Sequence, residues 1–166
     1  MTRVIDDLYR RIVLEHCKRP RNFRVPHDAN HKACGDNPLC GDHIVVYVRL
    51  EQGAILDIAF AGESCAVAKA SASLMTEVMM GRDTAHGRTL LNRFEQMVGS
   101  AGTEPDPELG ELRALADVRD FPSRIQCAML AWDALRTVLQ QGQEYSRDAL
   151  PRRSFSTRTQ SHYRSF

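Results

Sequence analysis

The chain lacks any run near the ~18 consecutive apolar residues that a membrane-spanning helix needs. It lacks a charge bias as well. Twenty-two Lys and Arg stand against 21 Asp and Glu, a formal +1, which argues against an acidic tail protein or a strongly basic nucleic-acid binder. The opening MTRVIDDLYRR puts two aspartates where a secretory signal carries an apolar core, so a cytoplasmic location without membrane contact is expected. An even cysteine set is missing too: the five cysteines lie at 17, 34, 40, 65 and 127. An odd, scattered count with no export signal reads poorly as a disulfide framework, and in a reducing compartment thiols serve metal binding or sulfur chemistry more often. What is present is a 43% hydrophobic content in 166 residues, enough to pack one domain.

The periodicity predicts an α+β fold, a small antiparallel sheet of about three strands packed against helices. Ile5, Leu8, Tyr9, Ile12 and Val13 recur at helical spacing over 4–17, and Pro20 stops the run. The stretch 18–43 is polar and broken by Pro and Gly, with room for one short strand around 30–34. Ile44, Val46, Val48 and Leu50 then alternate with Val45, Tyr47 and Arg49, the pattern of a half-buried strand. After Glu51-Gln52-Gly53, Ala54, Leu56, Ile58 and Phe60 share one face of a second strand. Helices are expected over 65–80, 84–98, 110–117 and 123–141. Gly142 ends the last of these, which leaves a domain over 1–142 and a flexible tail over 143–166. Met75, Met79, Met80 and Leu74 read as core rather than a soft-metal site.

Three cysteines fall where chain elements meet. Cys40-Gly41-Asp42 lies in a loop just before the strand that starts at Ile44, and its glycine lets sulfur and carboxylate face one point. Cys65 opens a helix, and Cys127 sits about one turn into the last long helix. Three thiolates and a carboxylate would close a tetrahedral zinc site. The alternative is that Cys65 and Cys127 are small buried hydrophobes. Spacing leaves both open.

Specific words go further. Asn37-Pro38 before Cys40-Gly41-Asp42, Cys65-Ala66 leading into Ala70-Ser71-Ala72-Ser73-Leu74-Met75-Thr76, and Arg124-Ile125-Gln126-Cys127-Ala128-Met129-Leu130-Ala131-Trp132 resemble the three cysteine motifs of the IscU/SufU/NifU-N family. Leu8-Tyr9-Arg10 through His16, and Lys18-Arg19-Pro20-Arg21-Asn22, are similar to that family's first helix and loop. Gln126, where IscU scaffolds carry histidine, and the inserted stretch 99–121 resemble the SufU branch.

The resemblance implies Zn²⁺ held by Cys40, Asp42, Cys65 and Cys127. It implies sulfurtransferase-like work: accepting persulfide sulfur from a SufS-type cysteine desulfurase and carrying it to a SufBCD-type assembly complex or to apo-proteins. Cys40 is the expected acceptor. The alternatives are a scaffold that holds iron or a [2Fe–2S] cluster on Cys40, Cys65 and Cys127, and a structural zinc domain that docks a partner. The family usually has glycine before the second cysteine. Ser64 stands here, and a positive φ at that position would strain the loop.

Other residues carry paired readings. Arg124, one turn before Cys127, is placed to hold Asp42 or a thiolate, or is an ordinary solvated arginine. Lys69 stands near the thiolates or on the surface. Cys17 reads as a half-buried helix residue, and Cys34 as a partner for an oxidised Cys40 or as a bystander. His16, His27, His31, His43 and His86 lack paired ligand spacing, with His43 a candidate neighbour of Asp42. The basic stretch 18–24 is a solvated loop or a guide for an acidic partner. The tail arginines specify no nucleic acid.

Overall fold

The computed structural model describes residues 2–149 apart from 101 and 103, with side chains described between 7 and 143. The first helix, α1 (Thr2–Lys18), buries Ile12, Val13 and His16, with Tyr9 packed on the core edge. Leu8, expected on that face, is 40% exposed. His16 extends the stripe by one more turn. It is only 2% exposed because Ser73 Oγ lies 2.7 Å from Nδ1 and Glu111 Oε2 lies 3.3 Å from Nε2. The loop after Pro20 folds back through Asn22 (φ 56), whose carbonyl accepts from Phe60 N at 3.0 Å. Asparagine is one of the few residues other than glycine that visits this left-handed conformation, and its Nδ2 donates to Thr76 Oγ1 of the second helix at 3.0 Å, which pins the loop.

The strands are β1 (His31–Asn37), β2 (Asp42–Glu51) and β3 (Ala54–Glu63), antiparallel in the order β1-β2-β3. β1 is longer than the short strand expected at 30–34. Gln52 (φ 51) and Gly53 (φ 76) form the tight turn between β2 and β3, with the positive φ at both positions that suits the strand twist. Ile44, Val46, Val48, Ile58 and Phe60 line the buried face. The expected inner face of β3 is corrected at one position. Leu56 is 46% exposed and Ile55 is buried instead. A register shift between Arg49 and Leu50 changes the parity of the ladder at this end of the hairpin.

Two helices cover the buried face: α2 (Ala66–Met79) and α4 (Pro122–Ala149). Between them run α3 (Thr84–Gly99), capped by the Asp83 carboxylate on His86 N at 2.8 Å, and a 3₁₀ segment Pro107–Asp120 broken at Gly110. Phe94 of α3 stacks on Trp132 of α4 with ring centroids 4.3 Å apart. Trp132 Nε1 donates to Ser71 Oγ at 3.1 Å, and Ser71 Oγ donates to Ala128 O at 2.6 Å, which ties α2 to α4. Leu74, Met75 and Met79 are buried in this core, as expected.

The expected stop at Gly142 is also corrected. α4 runs through it to Ala149, since Gly142 keeps a negative φ and Leu50 Cδ1 fills the space where its side chain would lie. The proposed tail therefore begins within a helix, and 150–166 lies outside the described residues. Among the described residues no helix is long and apolar enough to cross a membrane.

Candidate metal centre

One end of the sheet brings three chain segments together. β1 approaches α4 closely because residue 35 is glycine: a Cβ there would lie 2.7 Å from Leu130 O. That approach sets the first turns of α4, with Cys127, beside the β1–β2 loop. The loop is built by Asn37, whose carbonyl accepts from Cys40 N at 3.2 Å and whose Oδ1 accepts from Leu39 N at 3.2 Å. Gly41 (φ 67) then turns the chain so that Cys40 and the first residue of β2, Asp42, converge.

One ligand atom each from Cys40, Asp42 and Cys127 lies within 4.8 Å of the others. The two sulfurs are 3.9 Å apart, and Cys127 Sγ is 3.7 Å from Asp42 Oδ2. Cys40 is exposed; Asp42 and Cys127 are buried. Cys65 stands at the N-terminus of α2, outside this tightest group. Its sulfur accepts from Ala68 N at 3.4 Å as a helix cap, and its own N–H donates to Asp42 Oδ1 at 2.8 Å. Cys65 and Cys127 are still close enough for their thiols to interact. Burial pushes the Cys65 thiol up, opposed by the Ala68 N–H. Burial also pushes Cys127 far up, with the neighbouring Cys65 and Cys40 thiols adding to it.

The feared strain at Ser64 is absent, because that residue keeps a negative φ. The position that demands glycine is two residues earlier. Gly62 has φ 122, and a Cβ there would meet His43 O at 2.1 Å.

Arg124 does not reach Asp42. Its guanidinium lies 4.5 Å over the Phe121 ring and hydrogen-bonds the half-buried Tyr9, whose phenol burial pushes up and Arg124 pulls back down. Lys69 sits 5.2 Å over the Phe23 ring. His43 pairs with Asp36 on the exposed side of the sheet, and Cys34 faces the same exposed side of β1. Two cations of the 18–24 stretch are paired, Arg21 with Glu15 and Glu77, and Arg24 with Asp57. Cys17 is half-buried. A second gathering of His16, Glu77 and Glu111 ties α1 to α2 and the 3₁₀ segment, its histidine already held by Ser73.

Asn37 is the site residue that sequence reasoning missed as a side chain. Its only signal was its place in Asn37-Pro38 ahead of Cys40.

The donor set fits a borderline-soft divalent cation: thiols with one carboxylate, on three separate elements. Asp42 is 5% exposed and, among the described residues, pairs with no Lys, Arg or His. A buried carboxylate facing thiols with no counter-ion is a place where a cation is favourable.

The family model for the NifU-like N-terminal domain matches residues 8–147. The chain belongs to the NifU-like N-terminal domain family. Within the family it is 37% identical over 131 residues to the zinc-dependent sulfurtransferase SufU of Bacillus subtilis, covering 79% of this chain and 88% of that one. It is 37% identical over 135 residues to the iron–sulfur cluster assembly scaffold protein IscU of Streptococcus pyogenes, covering 81% and 84%. Among solved NifU-like folds, the N-terminal part of a protein from Brucella abortus superposes with a TM-score of 0.76 at 25% identity, covering 84% of this chain and 97% of that one.

Proposed function

We propose that this protein accepts persulfide sulfur from a SufS-type cysteine desulfurase in the cytoplasm and passes it on for iron–sulfur cluster assembly, with zinc held by Cys40, Asp42, Cys65 and Cys127. The observation that carries this reading is the asymmetry of the gathered ligands. Cys40 is exposed on a loop, while Asp42 and Cys127 beside it are buried on strand and helix. A purely structural zinc site closes all its ligands away from solvent; here one sulfur stands where another protein can reach it.

Bound zinc supplies the charge that keeps these thiols ionised at neutral pH. The chain does the rest. The Cys40 sulfur attacks the outer sulfur of the partner's cysteine persulfide. A new S–S bond forms to Cys40, the old one breaks, and the desulfurase cysteine leaves as a thiolate. Asp42 and Cys127 stay fixed by their elements while the Gly41 hinge lets Cys40 move. Leu39, 86% exposed and next to Cys40 in the chain, gives a partner an apolar landing. The recipients are a SufBCD-type complex or apo-proteins.

The likeness to a zinc-dependent sulfurtransferase supports this reading, as do Gln126 before Cys127 and the inserted 3₁₀ segment. The equal identity to an IscU scaffold supports a second one, assembly of a [2Fe–2S] cluster on Cys40, Cys65 and Cys127.

Desulfurase turnover separates them. With the host's own cysteine desulfurase, a reductant and substoichiometric zinc-loaded protein, alanine release should exceed the amount of this protein many times over while zinc is retained. Cys40→Ala should abolish the acceleration and keep part of the zinc affinity. One sulfur per chain or less, with no acceleration, would favour the scaffold.

A further inference from the structure

Asn37, the last residue of β1, is the cross-strand partner of Asp42, the first residue of β2. Directly opposed residues hold their Cβ atoms about 4.5–5.5 Å apart on one face. Both side chains are buried, 7% and 5% exposed. The Asn37 carboxamide is half used. Its Oδ1 accepts from Leu39 N, which shapes the turn that carries Cys40. Its Nδ2 is buried with no acceptor, the one such side-chain atom among the described residues. Native proteins rarely leave a buried donor idle. Asp42 is the complementary case. A carboxylate offers about four acceptor sites, and this one receives a single short bond, from Cys65 N, besides the longer Cys127 thiol contact.

We propose that Asn37 is a positioning residue of the metal centre, whose Nδ2 donates to the Asp42 carboxylate when Asp42 turns an oxygen to a bound divalent cation. The proposal rests on the reading that Asp42 is a metal ligand. A carboxylate that swings from the Cys65 N–H toward a cation needs a second group to fix its free oxygen, and the cross-strand amide is placed for that. A neutral donor suits the task, because a lysine or arginine there would compete with the cation for the same carboxylate. Loss of such an outer hydrogen bond to a metal ligand typically weakens metal affinity about 10–100-fold.

The test is zinc affinity by chelator competition, with the visible absorption of the cobalt(II)-loaded protein as a second readout. Wild type, Asn37→Ala, Asp42→Ala and the double variant form a cycle. Asn37→Ala should weaken zinc binding about 10–100-fold and shift the cobalt bands. In the Asp42→Ala background it should cost nothing further. Unchanged affinity in Asn37→Ala, or the same loss in both backgrounds, overturns the proposal. Melting of the metal-free proteins monitors folding. If Asn37→Ala fails to fold, Asn37→Ser keeps an oxygen for Leu39 N but is too short to reach Asp42, and should show the same loss. Affinity untouched by Asp42→Ala would overturn the assignment of Asp42 as a ligand, a failure distinct from that of Asn37.

Discussion

An alanine at position 62 would set its Cβ 2.1 Å from the His43 carbonyl oxygen while holding φ at 122, a backbone region that side chains other than glycine avoid. Neither atom can yield, because the oxygen belongs to paired backbone of β2 and the Cβ would be fixed to paired backbone of β3. Gly62→Ala is therefore expected to destabilise the protein by well over ~1 kcal/mol in urea denaturation. Because residue 62 leads directly into the Cys65 cap, zinc affinity should fall with it. Ser64→Gly makes the opposite comparison. Ser64 has an ordinary φ, so restoring the family's usual glycine relieves nothing. It should lower stability by at most ~1 kcal/mol through added chain entropy in the unfolded state. A large gain in stability or zinc affinity from Ser64→Gly would show that serine distorts the site after all. At this scale the thiols differ by surroundings rather than by type. Cys40 meets solvent, Cys65 caps a helix, and Cys127 lies between two other sulfur atoms in the core. In the proposed reading, one residue type serves as the reachable nucleophile, the helix cap and the buried anchor.

Between elements, the bond chain from Trp132 Nε1 to Ser71 Oγ to the Ala128 carbonyl is the polar link in an otherwise apolar α2–α4 contact. Ser71→Ala leaves a fully buried indole N–H without an acceptor, and such a group costs about 1–3 kcal/mol. The variant should lose that much in chemical denaturation, and the Trp132 fluorescence should report the change. A loss under ~0.5 kcal/mol would mean that water or a shifted backbone replaces the hydroxyl. Elements of this kind were largely legible in the sequence. Leu90, Leu91, Phe94 and Met97, and the stripe through Ile125, Met129, Trp132 and Leu139, announce their buried faces by spacing alone, and all are buried except Ile125, which is half-buried at the edge of the core. Illegibility begins where one element answers to another. Leu56 fits the alternation that Ile58 and Phe60 set, yet the shift at Arg49/Leu50 turns it out and Ile55 in. Gly142 has the look of a helix end, but Leu50 packs where its side chain would be and the helix goes on. The same holds at the site. Cys40, Asp42 and Cys127 could be named from their motifs, while the idle amide of Asn37 depends on cross-strand register that no local pattern encodes.

Across the whole molecule, the proposed ligands come from the β1–β2 loop, the start of α2 and the first turns of α4, all at one end of the sheet. A cation there would cross-link three segments far apart in sequence. The core does not need it: Ile44, Val46, Ile58, Phe60, Phe94 and Trp132 are buried without help from the site. The metal-free protein is therefore expected to fold, unlike small zinc modules that depend on the ion. Binding to the native state alone adds about 2.7 kcal/mol at a free ligand concentration one hundred times Kd. For a chain of this size that corresponds to a rise in Tm of about 5–10 °C. Removing zinc with a chelator should lower Tm by that amount and leave a cooperative transition. Hydrogen exchange should place the change. Amides of 38–42, 63–68 and 122–128 should lose protection, while those at the centre of β2 and in the second half of α2 keep theirs. If protection fell uniformly and the transition broadened, the metal would be a condition of folding rather than a clamp on one end. Cys40 would then be unable to leave the metal for a partner's sulfur without unfolding the protein. A local loss means that one end can open while the rest stays rigid, which a sulfur acceptor that must open and reclose at each transfer requires.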